Sequence, residues 1–185
     1  MNAVRAVIAG ALLLTACSSG EQVPAQRGDT AERAGTSTAA AGALLDLNAI
    51  DTQSATLPSD TGRTVSGDET ATWRATTVDG RLLRLVEQVN RGDYSSGERR
   101  HYFVDGLHRA TTERRMAVML ERDAAATTDT ITTQMEWSPE GTLVRGNKTI
   151  NGSSRPLAAY EAAEARAHVA LVAQQALIRA RPRSR

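Results

Sequence analysis

Three histidines, four carboxylates in strand-like stretches and one serine pair are the side chains here whose types could do chemistry. His101, His108 and His168 could ligate a metal or carry protons if the fold brought them together. Their spacing gives no such sign: no HxH or HExxH pattern occurs, and Cys17 is the only cysteine, so no thiolate site can be assembled. The expectation is no metal, no cofactor, and histidines that lie at the surface or are hydrogen-bonded. His168 follows Glu164 by four residues, a spacing that pairs side chains along one helix face. Glu87, Glu98, Glu113 and Glu136 could supply the two carboxyl groups of a glycosidase-type hydrolase. None has an identifiable apolar pocket, and Arg84, Arg100, Arg114 and Arg145 are the expected cross-strand partners. Ser95 and Ser96 fall in the Gly-rich segment 92–97, which predicts a hairpin tip rather than the strand-to-helix elbow that exposes a nucleophile. No residue is assigned a catalytic role. The Arg91-Gly92-Asp93 tripeptide and the sequon matches at Asn147 and Asn151 are short enough to arise by chance.

The elements that must position these groups follow from turn chemistry. Asp79-Gly80, Asp105-Gly106 and Asn151-Gly152 are hairpin dipeptides, and Ser138-Pro139-Glu140-Gly141 is a related turn. Between them lie six strand-like segments, 70–78, 81–90, 99–104, 107–120, 130–137 and 142–150. Ile131, Thr133, Met135 and Trp137 alternate with Thr132, Gln134 and Glu136, as an antiparallel sheet with one dry face requires. Leu83, Leu85 and Val89 form a second row, interrupted by Glu87. Segment 107–120 also carries a partly helical pattern. The intervals between turns follow no fixed period, so the pattern is a meander rather than a repeat array.

Residues from Leu157 to Ala180 are mostly strong helix formers. They predict a C-terminal helix over about 156–180, with Pro156 near its start and Ser153 and Ser154 as capping candidates. The stripe Tyr160, Ala163, Ala167, Leu171 and Ile178 is expected to face the sheet. Glu161, His168, Gln175 and Arg179 would then point away. The fold class is α+β: an antiparallel meander of about six strands packed by this helix, with a disordered tether in front. Arg179, Arg181, Arg183 and Arg185 could meet an anionic surface.

The N-terminal stretch reads differently. Arg5 precedes a short apolar run, Ala6 to Leu14, of the length of a signal-peptide core and far below the roughly 20 residues of a spanning helix. The run ends in Leu14-Thr15-Ala16-Cys17, which resembles the lipobox of bacterial lipoprotein signal peptides. The resemblance implies cleavage before Cys17, with Leu14, Thr15 and Ala16 read by the signal peptidase and acyl chains attached to Cys17. Acylation by several chains makes attachment practically permanent. Ser18 after the cysteine implies sorting to the outer membrane. On this reading residues 1–16 are the leader, 17–42 a flexible tether poor in large apolar side chains, 43–70 a partly ordered segment, and 71–185 the α+β domain.

Composition narrows the function classes. The net charge of +1 hides an acidic stretch, 18–70, with 3 basic and 8 acidic residues, and a basic stretch, 71–185, with 18 and 13. All basic residues except Lys148 are arginines. Trp73, Tyr94, Tyr102, Phe103, Trp137 and Tyr160 are the full aromatic complement, too few to stack nucleic-acid bases after a core is filled. The expectation is a lipid-anchored, non-enzymatic envelope protein. It would meet the membrane through Cys17 and bind another envelope protein or an anionic glycolipid, with no nucleic acid. A carrier of an apolar ligand held between sheet and helix is the alternative, and a hydrolase the third reading.

Overall fold

Tight turns set the architecture. Asp79, Asp105 and Asn151 have φ of 50–54°, and Gly80, Gly106 and Gly152 follow at 73–79°. Two consecutive left-handed residues make the turn whose twist matches that of the flanking strands, so each dipeptide closes a two-residue hairpin. A computed structural model describes residues 44–119 and 126–180. Its order is α1 (Leu47–Ala55), β1 (Ser59–Ser66), β2 (Glu69–Val78), β3 (Arg81–Asn90), β4 (Ser95–Val104), β5 (Leu107–Met119), β6 (Thr127–Trp137), β7 (Leu143–Ile150), β8 (Ser153–Arg155) and α2 (Ala159–Ala180). Every strand pairs antiparallel with the one before it, giving a single meander in the order β1 to β8. The expected leader, tether and anchor, with Leu14, Thr15, Ala16, Cys17 and Ser18, lie outside the described residues, as do Arg181, Arg183 and Arg185.

The expected α+β architecture is present, with eight strands rather than six. The two additions frame the sheet. In β1, SDTGRTVS, no residue is buried, so the strand carries no apolar alternation to betray it. It is held by register: Gly62 pairs with Trp73, and the indole occupies the space that a Cβ on Gly62 would need. The short β8 takes Ser153 and Ser154 into the sheet, so they do not cap the helix. At that helix start Glu161 reaches back to accept from the Ala158 N–H at 2.8 Å, half of a capping box. The ambiguous segment 107–120 is strand through Met119.

Helix α2 lies on the sheet by a different face from the one expected. Tyr160, Leu171 and Ile178 are exposed, and Ala162, Val169, Val172 and Ala176 are buried. The helix carries two apolar stripes, and size decides between them. The sheet face beneath already holds Trp73, Phe103 and Trp137, so the stripe of Ala and Val fits where Tyr and Leu would stand the helix off. Two apolar clusters result. Trp73, Leu82, Leu85 and Phe103 pack on Val169, Val172 and Ala176, while Met135 and Trp137 pack on Ala162. Complete burial of each Val stabilises the contact by about 1.5–3 kcal/mol. The cluster around Leu44 to Ile50 docks as helix α1, capped by Asp46, whose side chain accepts from Ala49 N–H at 3.0 Å.

Candidate functional site

The α2-facing side of the sheet turns polar between the two apolar clusters. Alternation along β3 places Glu87 in the same row as Leu85 and Val89. Along β4 it places His101 in line with Arg99, and His101 pairs in register with Thr111 of β5. Six residues past the Ala162 contact, α2 lowers His168 onto this row. Glu87 is fully buried, His101 is 1% exposed and His168 26%.

The three side chains meet at one oxygen. Oε2 of Glu87 lies 2.8 Å from Nε2 of His101 and 2.8 Å from Nε2 of His168. A carboxylate can only accept, so both imidazoles carry their proton on Nε2. The neutral His101 ring then accepts at Nδ1 from the Thr111 hydroxyl, 2.9 Å away. That hydroxyl is also 2.9 Å from Nε2 of His108, which lies 3.0 Å from the Ala110 carbonyl and therefore bears its proton there. A directed chain thus runs from His108 through Thr111 and His101 to Glu87.

Burial sets the protonation states. It pushes the Glu87 carboxyl up, but the hydrogen bonds from His101 and His168 outweigh it and hold the group at about 2. Burial pushes His101 down against the pull of Glu87 and keeps it neutral. It also takes His108 down to about 3, with the neighbouring His101 adding to the effect. Oε1 of Glu87 is buried and has no hydrogen-bond partner among the described residues.

A second charged layer closes over the first. Arg99 clamps Glu69 through both carboxylate oxygens, at 2.7 and 3.1 Å, and reaches Glu113 at 3.0 Å through Nε. Arg91 adds a contact to Glu69 at 2.7 Å. Burial raises Glu69, yet Arg99 and Arg91 overcome this and hold it below its usual value. Nη1 of Arg99 stands 3.5 Å from Nε2 of His168, where the two layers meet donor to donor without a hydrogen bond. Between them a cleft of about 450 Å³ opens, walled by Glu69, Arg99, His101, Glu113 and His168, with Glu164 at its lip. Chemically, the arrangement can hold a polar ligand against paired charges, and Glu87, His101 and His168 offer three convergent donors to a cation.

Several sequence-based expectations change here. His168 turns to Glu87 rather than to Glu164, and it faces the sheet instead of the polar side of the helix. Glu87 takes two histidines, not Arg84. Arg84 pairs with Asp51. Glu113 pairs across the strands with Arg99 rather than Arg114, Glu98 pairs with Arg100, and Glu136 with Arg145 at 3.4 Å. Ser95 opens β4. Arg179 donates to the Thr61 carbonyl at 3.0 Å and lies over the Trp73 ring. The signal for Glu87 was present: a charged residue interrupting an apolar row is either a strand edge or a buried site. Local spacing could not reveal the rest, because the three groups come from β3, β4 and α2.

Comparison of the chain with protein-family models, curated proteins and solved structures finds no match. Among the described residues no helix is long and apolar enough to cross a membrane.

Proposed function

We propose that the chain is a cell-envelope lipoprotein, anchored through acyl chains on Cys17, that acts as a non-enzymatic binding or accessory factor. Its attachment point is the outer membrane, on the periplasmic face. The charged cleft under α2 is the surface that engages another envelope protein or an anionic glycolipid. The observation that carries this reading is the cleft wall itself, where Glu69, Arg99 and Glu113 form a preorganised ion-pair network around an open volume. Such a network presents both signs of charge in a fixed geometry, which suits a polar partner. An apolar cargo is served less well, because these charges would lose water against it without gaining partners.

Two measurements test the proposal. Metabolic palmitate labelling is expected for the native chain and lost in Cys17→Ala, which keeps its leader; continued labelling of the variant contradicts the anchor. A photo-crosslinker at Glu164, on the lip of the cleft, is expected to give one dominant adduct in live cells. The same group at Asn48 of α1 should give none. Equal adducts from both positions, or none from Glu164, contradict the cleft as the engaging surface.

A further inference from the structure

We infer that Glu87, His101 and His168 form a binding site for one divalent transition-metal ion of the zinc class, with an open coordination position on the cleft. The inference adds an ion to the cleft and rests on reading that cleft as a binding site. Two imidazole nitrogens and one carboxylate oxygen are the three-ligand set of an open zinc centre, and here they lie within 4.8 Å of one another. Donors of this kind suit zinc, and also cobalt or nickel, better than the oxygen-seeking calcium and magnesium.

The surroundings are those of a supported site. Thr111 stands 2.9 Å from Nδ1 of His101, in the position from which an outer hydroxyl fixes a ligating imidazole. The second oxygen of Glu87, buried and without a partner among the described residues, leaves the carboxylate with donor capacity beyond its two histidine bonds. His101 and His168 both line the cleft, so an ion held between them has a free side toward it.

Without an ion, the two Nε2–Oε2 distances of 2.8 Å are hydrogen bonds. Ligand atoms about 2.0 Å from a tetrahedral ion sit roughly 3.3 Å apart. Loading therefore spreads the three groups by about half an ångström, and His168, on the helix and partly exposed, is the one free to move. Each imidazole gives up its Nε2 proton to ligate, and the neutral His101 ring takes one at Nδ1. That new N–H donates to Thr111, whose hydroxyl turns its own proton away from the ring. For His101 the change is a shift of tautomer in a ring that burial already keeps neutral. Arg99, whose Nη1 lies 3.5 Å from Nε2 of His168, opposes the ion electrostatically, but Glu69 and Glu113 already neutralise it.

The test is a metal titration of the full chain in detergent after chelator treatment, with Co²⁺ followed by its visible absorption and Zn²⁺ by competition with a chromophoric chelator. One equivalent of Co²⁺ is expected, with the intense absorption of low coordination number, displaced by one equivalent of Zn²⁺. Thr111→Val should weaken Zn²⁺ binding about 10–100-fold, and His168→Ala should weaken it further. On loading, ¹⁵N spectra should show the His101 proton moving from Nε2 to Nδ1. Failure to bind one equivalent, or binding unchanged in a folded His168→Ala chain, overturns the site. If Glu87→Gln does not fold, the His168 variant decides alone, since its side chain is partly exposed and its helix is held elsewhere. Loss of the ion with the Glu164 adduct retained would sink this inference and leave the cleft reading intact.

Discussion

The two faces of the sheet are each clipped to a helix by one carboxylate, and the two clips behave differently. On the α2 side Glu87 belongs to the sheet and receives two imidazoles, one of them from the helix, in full burial. On the other side Asp51 belongs to α1, with Arg84 at 2.9 Å, Arg100 at 3.2 Å and the Tyr102 hydroxyl at 3.4 Å. The alternation that points His101 toward α2 points Arg100 and Tyr102 toward α1. Asp51 is 26% exposed and Arg100 40%, so water still screens this second clip. The same chemical device is therefore tightly coupled to stability in one place and weakly in the other, and solvent access makes the difference.

Breaking the buried clip gives the largest effect. His101→Ala leaves an ionised Glu87 out of water with one donor, and a loss of about 3–5 kcal/mol is expected from urea unfolding at pH 7. A loss below that of an exposed pair would remove the contrast. Next comes acid. His108 stays neutral in the folded chain down to about 3, while the unfolded ring takes a proton near 6.5. The unfolded state thus binds more protons as pH falls, and stability drops from about pH 6.5 downward, by at most about 1.4 kcal/mol per pH unit for this ring. Glu87 adds its own loss only below 4.5, continuing to about 2. His101, which burial also holds down, adds a loss of the same sign, so His108→Gln should reduce the slope between pH 6.5 and 4.5 without abolishing it, read as urea midpoints at several pH values. The smallest effect is expected at the solvated clip. Asp51→Ala should cost about 1 kcal/mol and raise amide exchange in α1 without altering exchange in α2.

The meander was legible because its turns are written in short code: three Asp-Gly or Asn-Gly dipeptides, each matched by two left-handed residues in the fold. The row Ile131 to Trp137 was equally open to reading, since a dry face alternates there with a wetter one, except at Glu136, which is buried beside Arg145. The outer strand β1 was not, because an exposed edge strand needs no apolar residues and its ladder to β2 is made by backbone groups. The choice of α2 face depended on volume in the sheet beneath, where Trp73 and Trp137 leave space for Ala and Val only. The site was the least legible. Glu87 announced itself as a break in an apolar row, but His168 is 81 residues away along the chain, and only the packing of the helix brings it back.

That distance has a consequence for how the chain matures. Strands β3 and β4 can present Glu87 and His101 early, yet the third member arrives with the last described helix. During synthesis helix α2 follows all the strands of the sheet, so the polar centre is completed late in folding rather than at its start. A chain cut short before residue 159 would keep the hairpins and show Trp73, Leu85 and Phe103 to whatever it meets. Completion of the centre and concealment of that greasy surface are therefore a single event, and a quality-control protease that attacks bare apolar faces would remove every copy lacking it.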